Sequence, residues 1–455
     1  MLKIFIMLTL FLSNVVYATN SEPLDLTNTW VGIATLGIFV VGYYVIANEE
    51  KYDLDKSVPA LFVGIFTFLL IALYFVTNDL DIKLVHEEAE SVILEIAEIF
   101  FFLFVAMTYI ESLLDMGVFD KLKYSLISKG YTYRKLFWLT GFLAFFISPF
   151  ADNLTTALIL STVLFTIERD KKEFLVPGAI NIVVAANAGG AWSPFGDITT
   201  LMVWTAGKGD FLDFLYLFPS SIIGYLATAF LLSLSVPKTK PAFDGNIEVP
   251  KMKAGGVIII ILGIITIIMA VISHQFLDFP AMWGMMFGLV LLKFYSYRLK
   301  IKFGSDHFSV FKSMSKIENN TLMFFFGILS AVGALYFVGW LTLASLVYEP
   351  NYLGPIYSNI AVGFLSAVVD NVPVMSAILK ANPNMDLSNW LLVTLTAGIG
   401  GSLISFGSAA GVGVMGKLRG IYTFSSHMRY AWMILIGYFI SIAIWYFQFV
   451  MLKIY

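Results

Sequence analysis

The sequence predicts an all-α polytopic membrane protein: two inverted-topology repeats, each with a re-entrant hairpin and a broken helix, plus accessory helices. Three observations predict it. Hydrophobic residues make up 59% of the 455 and charged residues only 13%, about half the charged share of an ordinary soluble domain, and the mean hydropathy is +0.84. Apolar runs of roughly 20 residues, the length that crosses a bilayer, recur along the chain. The pattern Ser-x-x-x-Asp-Asn occurs twice, at Ser148 to Asp152-Asn153 and at Ser366 to Asp370-Asn371, each inside an otherwise apolar run. A carboxylate in hydrocarbon costs roughly 3 kcal/mol or more, so two at matched places point to a functional site made by duplication.

Taken in order, residues 1–18 read as a signal peptide, with Lys3 before an apolar run and Val16-Tyr17-Ala18 before polar residues. Residues 19–84 hold two accessory helices, near 28–47 and 58–77. Repeat one covers 85–236, with spans near 91–115 and 211–236, a hairpin at 136–168 and a broken helix at 175–206. The hydrophilic stretch 237–254 is a cytoplasmic linker, and 255–304 carries two linking helices near 255–274 and 279–297. Repeat two covers 305–455, with spans near 321–346 and 427–452, a hairpin at 355–380 and a broken helix at 386–416. Each hairpin run is too long for one crossing and too short for two. Each has its Asp-Asn pair near the middle, so both dip in and return to the side they came from.

Charge sets the orientation. With alternate loops cytoplasmic, nearly all of the 28 Lys and Arg fall on one side. Beyond the leader, only Lys83, Lys208, Lys380 and Lys453 fall on the other, a strong positive-inside bias. The first hairpin is then flanked by basic loops, and the second by Tyr348-Glu349-Pro350-Asn351 and Ala381-Asn382-Pro383-Asn384 on the outer side. The two hairpins enter from opposite faces, the mark of inverted repeats that share a site near the midplane.

A second pair of segments supports the duplication. Gly189-Gly190 precedes Phe195-Gly196-Asp197 by the same spacing that separates Gly400-Gly401 from Phe406-Gly407-Ser408. Glycine permits close backbone approach and breaks helices, and Pro194 removes a further amide donor. Broken backbone at membrane depth is tolerated where it is buried in protein or lines a cavity, and its free ends offer carbonyls to a cation or amides to an anion. Close helix packing through small residues is the alternative use of such glycines.

The chemistry follows from the side chains beside these breaks. Asp152, Asp370 and Asp197, with Thr155, Thr156, Thr199, Thr200 and Ser366 nearby, are candidate ion or proton ligands. No Lys or Arg falls within the predicted core of any span, so carboxylates among hydroxyl and amide oxygens suit a hard cation or a proton. A cation and a proton competing for one carboxylate is the minimal machinery of exchange. Asn153 and Asn371 have two open roles, helix capping and ligation. Glu95 and Glu98, one turn apart on the third span, are either the start of a proton path from outside or interfacial residues. With Cys 0 and four scattered His, thiolate and zinc chemistry are absent, and the net charge of −3 implies no nucleic-acid partner. No nucleophile–base spacing, phosphate loop or cofactor motif suggests an enzyme.

At these residues the chain resembles the NhaD-type sodium/proton antiporters of the ion transporter (arsenite permease/divalent anion symporter) superfamily. The strings SPFADNLTTALI, NAGGAWSPFGDITTLMVW, SAVVDNVPVMSAI and GGSLISFGSAAGV carry the resemblance, which runs from about residue 30 to the end. It implies Na+, often also Li+, exchanged for H+ across the bacterial inner membrane by a homodimer, with a scaffold holding a moving transport domain that carries the hairpins. It requires no cofactor. It implicates Ser148, Asp152, Asn153, Thr155, Asn187, Asp197, Thr199 and Thr200, and in the second half Ser366, Asp370, Asn371, Ser405 and Ser408, with Na+ at Asp152, Asn153, Asp370 and Asn371. Relatives that carry dicarboxylates have Ser-Asn-Thr where this chain has Asp152-Asn153-Leu154 and Asp370-Asn371-Val372. A Na+-coupled symporter of a small anion such as a dicarboxylate, or an arsenite-type permease, are the alternative readings.

Overall fold

A computed structural model describes residues 25–52, 54–241, 252–304 and 306–454. The signal-peptide expectation and most of the 237–254 linker lie outside them. The described residues form helices and no strand. They are α1 (Trp30–Ala47), α2 (Ser57–Thr77), α3 (Ile82–Asp115), α4 (Val118–Ile127), α5 (Tyr133–Ala151), α6 (Asn153–Ile167), α7 (Lys172–Gly190), α8 (Ile198–Thr205) and α9 (Phe218–Ser233). After the linker come α10 (Gly256–Val271), α11 (Ala281–Phe303), α12 (Asn319–Phe337), α13 (Gly354–Val369), α14 (Asn371–Ala381), α15 (Leu387–Gly400), α16 (Ala409–Lys417) and α17 (Ala431–Tyr446), with short helical turns between some of them.

Among the described residues, eight helices are long and apolar enough to cross a membrane, so the chain is a multi-pass membrane protein. Two expected spans fall outside that set for physical reasons. The 386–416 run is split into α15 and α16 by its glycine break, and α11 ends in Tyr297-Arg298-Leu299-Lys300-Ile301-Lys302, too charged for hydrocarbon. One span is longer than expected. α3 begins at Ile82 rather than near residue 91, because Asp81 caps it by accepting from the Lys83 amide. At 34 residues it extends about 51 Å at 1.5 Å per residue, well beyond the ~30 Å hydrocarbon core.

Each expected hairpin is a pair of helices that turn on a single aspartate and pack against each other, α5 with α6 and α13 with α14. Each expected broken helix is likewise two pieces: α7 and α8 separated by residues 191–197, and α15 and α16 separated by 401–408. Two cores flank these segments. The larger joins α3–α11 and α13–α17, and the smaller joins α1–α3, α8, α12 and α14. Met202 of α8 and Val372 of α14 pack into the smaller core, so the broken elements lie where the two meet.

Contacts recur at nearly constant sequence offsets. Ser148 donates to the Ala186 carbonyl at 2.6 Å, and Ser366 to the Ala397 carbonyl at 2.8 Å, each pinning the first arm of a hairpin to a broken helix. α9 crosses α17 at Gly224 and Gly437. A Cβ on Gly437 would lie 2.6 Å from the Gly224 carbonyl oxygen, and one on Gly224 2.7 Å from that of Gly437. The helices meet backbone to backbone, and reciprocally.

Candidate ion-binding site

Asp152 and Asp370 occupy the turns of the two hairpins with almost the same backbone, φ 53°, ψ 161° and φ 77°, ψ 148°. Positive φ with extended ψ is a region that side-chain-bearing residues avoid, at a cost of about 1–3 kcal/mol. Each aspartate ends one helix and caps the next. Asp152 accepts from the Thr155 amide at 2.8 Å and the Thr155 hydroxyl at 2.7 Å. Asp370 accepts from the Asn371 amide at 2.7 Å.

The broken helices end in similar caps. Asp197, at the start of α8, accepts from the Thr199 amide at 3.0 Å, and Ser408, at the start of α16, from the Gly411 amide at 3.3 Å. The breaks themselves close on glycine. A Cβ on Gly190 would meet the Gly196 carbonyl oxygen at 2.5 Å, and one on Gly401 the Gly407 carbonyl oxygen at 2.6 Å. Gly189 and Gly400 likewise press on hairpin backbone at Phe145 and Gly363, and Pro194 lies within the first break.

Four helix N-termini therefore lie within these broken segments, and three are capped by resident carboxylates. An open helix N-terminus is an anion site. Here that role is filled from within.

Side chains from both halves then converge. The Asn153 amide donates to Asp197 at 2.8 Å and to the Asn187 oxygen at 3.1 Å. The Asn371 amide donates to both oxygens of the same Asp197, at 3.0 and 3.2 Å. Asn187 in turn donates to Ser402 at 2.9 Å and Ser408 at 2.8 Å. Asn153, Asn187, Asp197, Asn371 and Ser408 are all buried. Thr200 bonds the Gly190 carbonyl at 3.3 Å. Among the described residues, the buried hydroxyls of Thr199 and Ser405 have no hydrogen-bond partner, as is true of Thr35, Ser221 and Ser376 elsewhere.

Of the two roles open to Asn153 and Asn371, capping falls to the neighbouring aspartates. Both side-chain amides are spent on Asp197, leaving their carbonyl oxygens for other partners. Each aspartate brings one carboxylate, with the Thr155 amide and hydroxyl at Asp152, the Asn153, Asn371 and Thr199 amides at Asp197, and the Asn371 backbone amide at Asp370. That charge suits a monovalent cation, since divalent sites commonly gather several carboxylates.

A cavity of about 390 Å³, lined mostly by apolar side chains, reaches Asp152, Asn153 and Asp197, and two further cavities flank the same elements. One of about 760 Å³ is lined by Asp55, Lys56, Glu318, Lys417 and Arg419 and reaches Asp370. It opens among basic loops. The other, about 300 Å³, is lined by Glu95, Glu98, Met202, Thr205 and Lys380. Glu95 and Glu98 are thus outside the Asp-Asn cluster. Glu95 pairs with Lys380 at 2.9 Å, and Glu88 lies 3.8 Å from the same ammonium.

The citrate transporter family profile matches residues 43–398. The chain is 43% identical to the Na(+)/H(+) antiporter NhaD of Alkalimonas amylolytica, over 96% of this chain and 95% of that one. It is also 43% identical to that of Vibrio cholerae, over 93% of each chain, and 45% identical to that of Vibrio parahaemolyticus, over 84% of this chain and 97% of that one. The chain belongs to the NhaD antiporter family. These NhaD relatives are antiporters by name.

Two contributors were absent from the sequence reading. Ser402 lies within the second glycine break, and only its bond to Asn187 distinguishes it from its neighbours. Lys56 lies outside every predicted span core, yet its ammonium is 3.9 Å from Asp370. It precedes α2 in a short loop, and nothing in its local sequence marks it.

Proposed function

We propose that the chain is a secondary active antiporter that exchanges Na+, and also Li+, for H+ across the bacterial inner membrane. The observation that carries this reading is the convergence of Asn153 and Asn371, one from each hairpin turn, on Asp197. A buried carboxylate held by two amides, beside unpartnered hydroxyls, favours a small cation or a proton over an anion. Resident carboxylates at three of the four helix N-termini oppose a dicarboxylate or oxyanion substrate.

In the proposed cycle, Na+ enters from the cytoplasm through the cavity that ends at Asp370. It displaces protons from the Asp152, Asp197 and Asp370 cluster. Amide and hydroxyl oxygens of Asn153, Asn371, Thr155, Thr199 and Ser405, with carbonyls of the glycine breaks, supply further ligands. The segment then exposes the site to the other face, where protons displace Na+. Glu95 and Glu98 line the cavity on that side. The recurring Ser148 and Ser366 contacts, and the reciprocal Gly224 and Gly437 crossing, support reading 85–236 and 305–455 as inverted repeats. A homodimer, a cleaved leader and an outside mature N-terminus belong to the same proposal.

The test is ΔpH dequenching in everted vesicles from an antiporter-deficient strain, with NaCl, LiCl and KCl added in turn. Rapid dequenching by Na+ that Asp197→Asn and Asp370→Asn abolish supports the reading. No dequenching by any cation between about pH 6.5 and 9.5, the range over which carboxylate and proton competition would shift, would sink it.

A further inference from the structure

The two hairpin turns match in backbone but differ in what neutralises their aspartates. Asp152 has the amide and hydroxyl of Thr155, third in its helix. The residue third in the matching helix is Pro373, which has no N–H and no hydroxyl. Asp370 receives the Asn371 amide and faces the Lys56 ammonium at 3.9 Å.

Lys56 comes from a different part of the molecule. It immediately precedes α2, which packs along α12. Its backbone is tethered there because Asp55 accepts from the Ser57 amide at 2.9 Å and from the Asn320 side chain at 2.8 Å. Its ammonium lies 4.4 Å from the ring centroid of Phe324 on α12, a cation–π distance. From this wall it reaches across the cavity to the hairpin turn. At 3.9 Å the pair is ionic without a hydrogen bond, so the carboxylate keeps open lone pairs.

We infer that Lys56 is a resident cation that competes with transported Na+ for Asp370, holding the second hairpin turn to the α2–α12 wall until Na+ replaces it. The inference rests on the antiport reading and names a residue that sets the affinity of its inward site. Na+ arriving through the cavity binds Asp370, and the ammonium is released toward walls that carry Asp55 and Glu318. The bridge between α2 and the turn opens in the same event. Ion binding and freedom of the hairpin to move are thereby coupled, and the empty site is never left as a bare buried carboxylate.

The test is NaCl-dependent thermal stabilisation of the purified full chain in detergent, with choline chloride as the ionic-strength control, at one alkaline pH where proton competition is weakest. Lys56→Met should lower half-saturating NaCl about tenfold, the change that ~1.4 kcal/mol brings, whereas Lys56→Arg should stay close to wild type. Half-saturation that is unchanged or higher in Lys56→Met overturns the inference. If Lys56→Met does not fold, Lys56→Met with Pro373→Thr restores a donor to Asp370 and is read the same way. Wild-type vesicles are assayed in parallel for Na+-driven dequenching. Absent exchange there counts against the antiport reading, whereas intact exchange with unaltered Na+ half-saturation in Lys56→Met counts against Lys56 alone.

Discussion

Asn153 and Asn371, 218 residues apart, donate to one and the same oxygen of Asp197, at 2.8 and 3.0 Å. Neither hairpin can shift without changing what the other holds. Asn153→Ala and Asn371→Ala should each reduce the initial rate of Na+-driven dequenching about tenfold at matched membrane expression, and the double variant should fall short of the product because the two share an acceptor. A strictly multiplicative loss would mean that the two amides act independently.

Asn187 joins the halves by a separate route, through Ser402 and Ser408. Asn187→Ala leaves both hydroxyls and the Asn153 amide short of a buried partner, at about 1–3 kcal/mol for each unsatisfied group. Thermal unfolding in detergent should show a fall of several degrees. An unchanged midpoint would mean that water replaces the lost amide.

Ser148 and Ser366 do the same mechanical task on the two sides. Ser148→Ala and Ser366→Ala should each cost about 1 kcal/mol, the net value of an ordinary hydrogen bond, with the same sign in a denaturation measurement. A large effect from one and none from the other would break the correspondence between the hairpins.

At the Gly224 and Gly437 crossing there is no room for a side chain. Gly224→Ala or Gly437→Ala should destabilise by about 1–3 kcal/mol through overpacking. Because each helix would push on the same opposing backbone, the pair together should cost less than the sum, which unfolding midpoints of the three variants would reveal.

The base of the first hairpin carries a pH-dependent tie. The Tyr133 hydroxyl donates to Glu168 at 2.5 Å, and this bond, with amides of Asp170 and Arg169, holds the Glu168 carboxyl below its usual 4.5 despite slight burial. A depressed folded value means that the unfolded chain takes the proton more readily. The stabilisation is complete above about pH 4.5 and is lost as pH falls through the folded value. Glu168 is only partly buried, so solvent screening should hold the contribution under ~1 kcal/mol. Tyr133→Phe should flatten that acid limb of the stability profile.

Much of this architecture was legible because membrane solvent imposes length and polarity so strictly. Apolar runs at 58–77 and 321–346 became α2 and α12 within a few residues at their starts, and the Asp-Asn and Gly-Gly pairs marked four real breaks. The additional turns of α3 were not legible from hydropathy, since Lys83, His86, Glu87 and Glu88 look like loop. Helical structure persists there through the Asp81 cap, and Lys380 pairs with Glu88 and Glu95 from another helix. Lys56 was hidden for a similar reason. Its meaning lies in a partner more than 300 positions away, and no local pattern encodes that distance.

The left-handed turns at Asp152 and Asp370 have a consequence for anyone selecting sturdier variants. Glycine adopts that backbone without penalty, so replacement by glycine would relax a strained turn while deleting a carboxylate proposed to bind the transported ion. Selection for heat resistance alone would therefore reward the change that silences the protein. Selection for salt tolerance in growing cells would reject it, and the two regimes should part company first at these two positions.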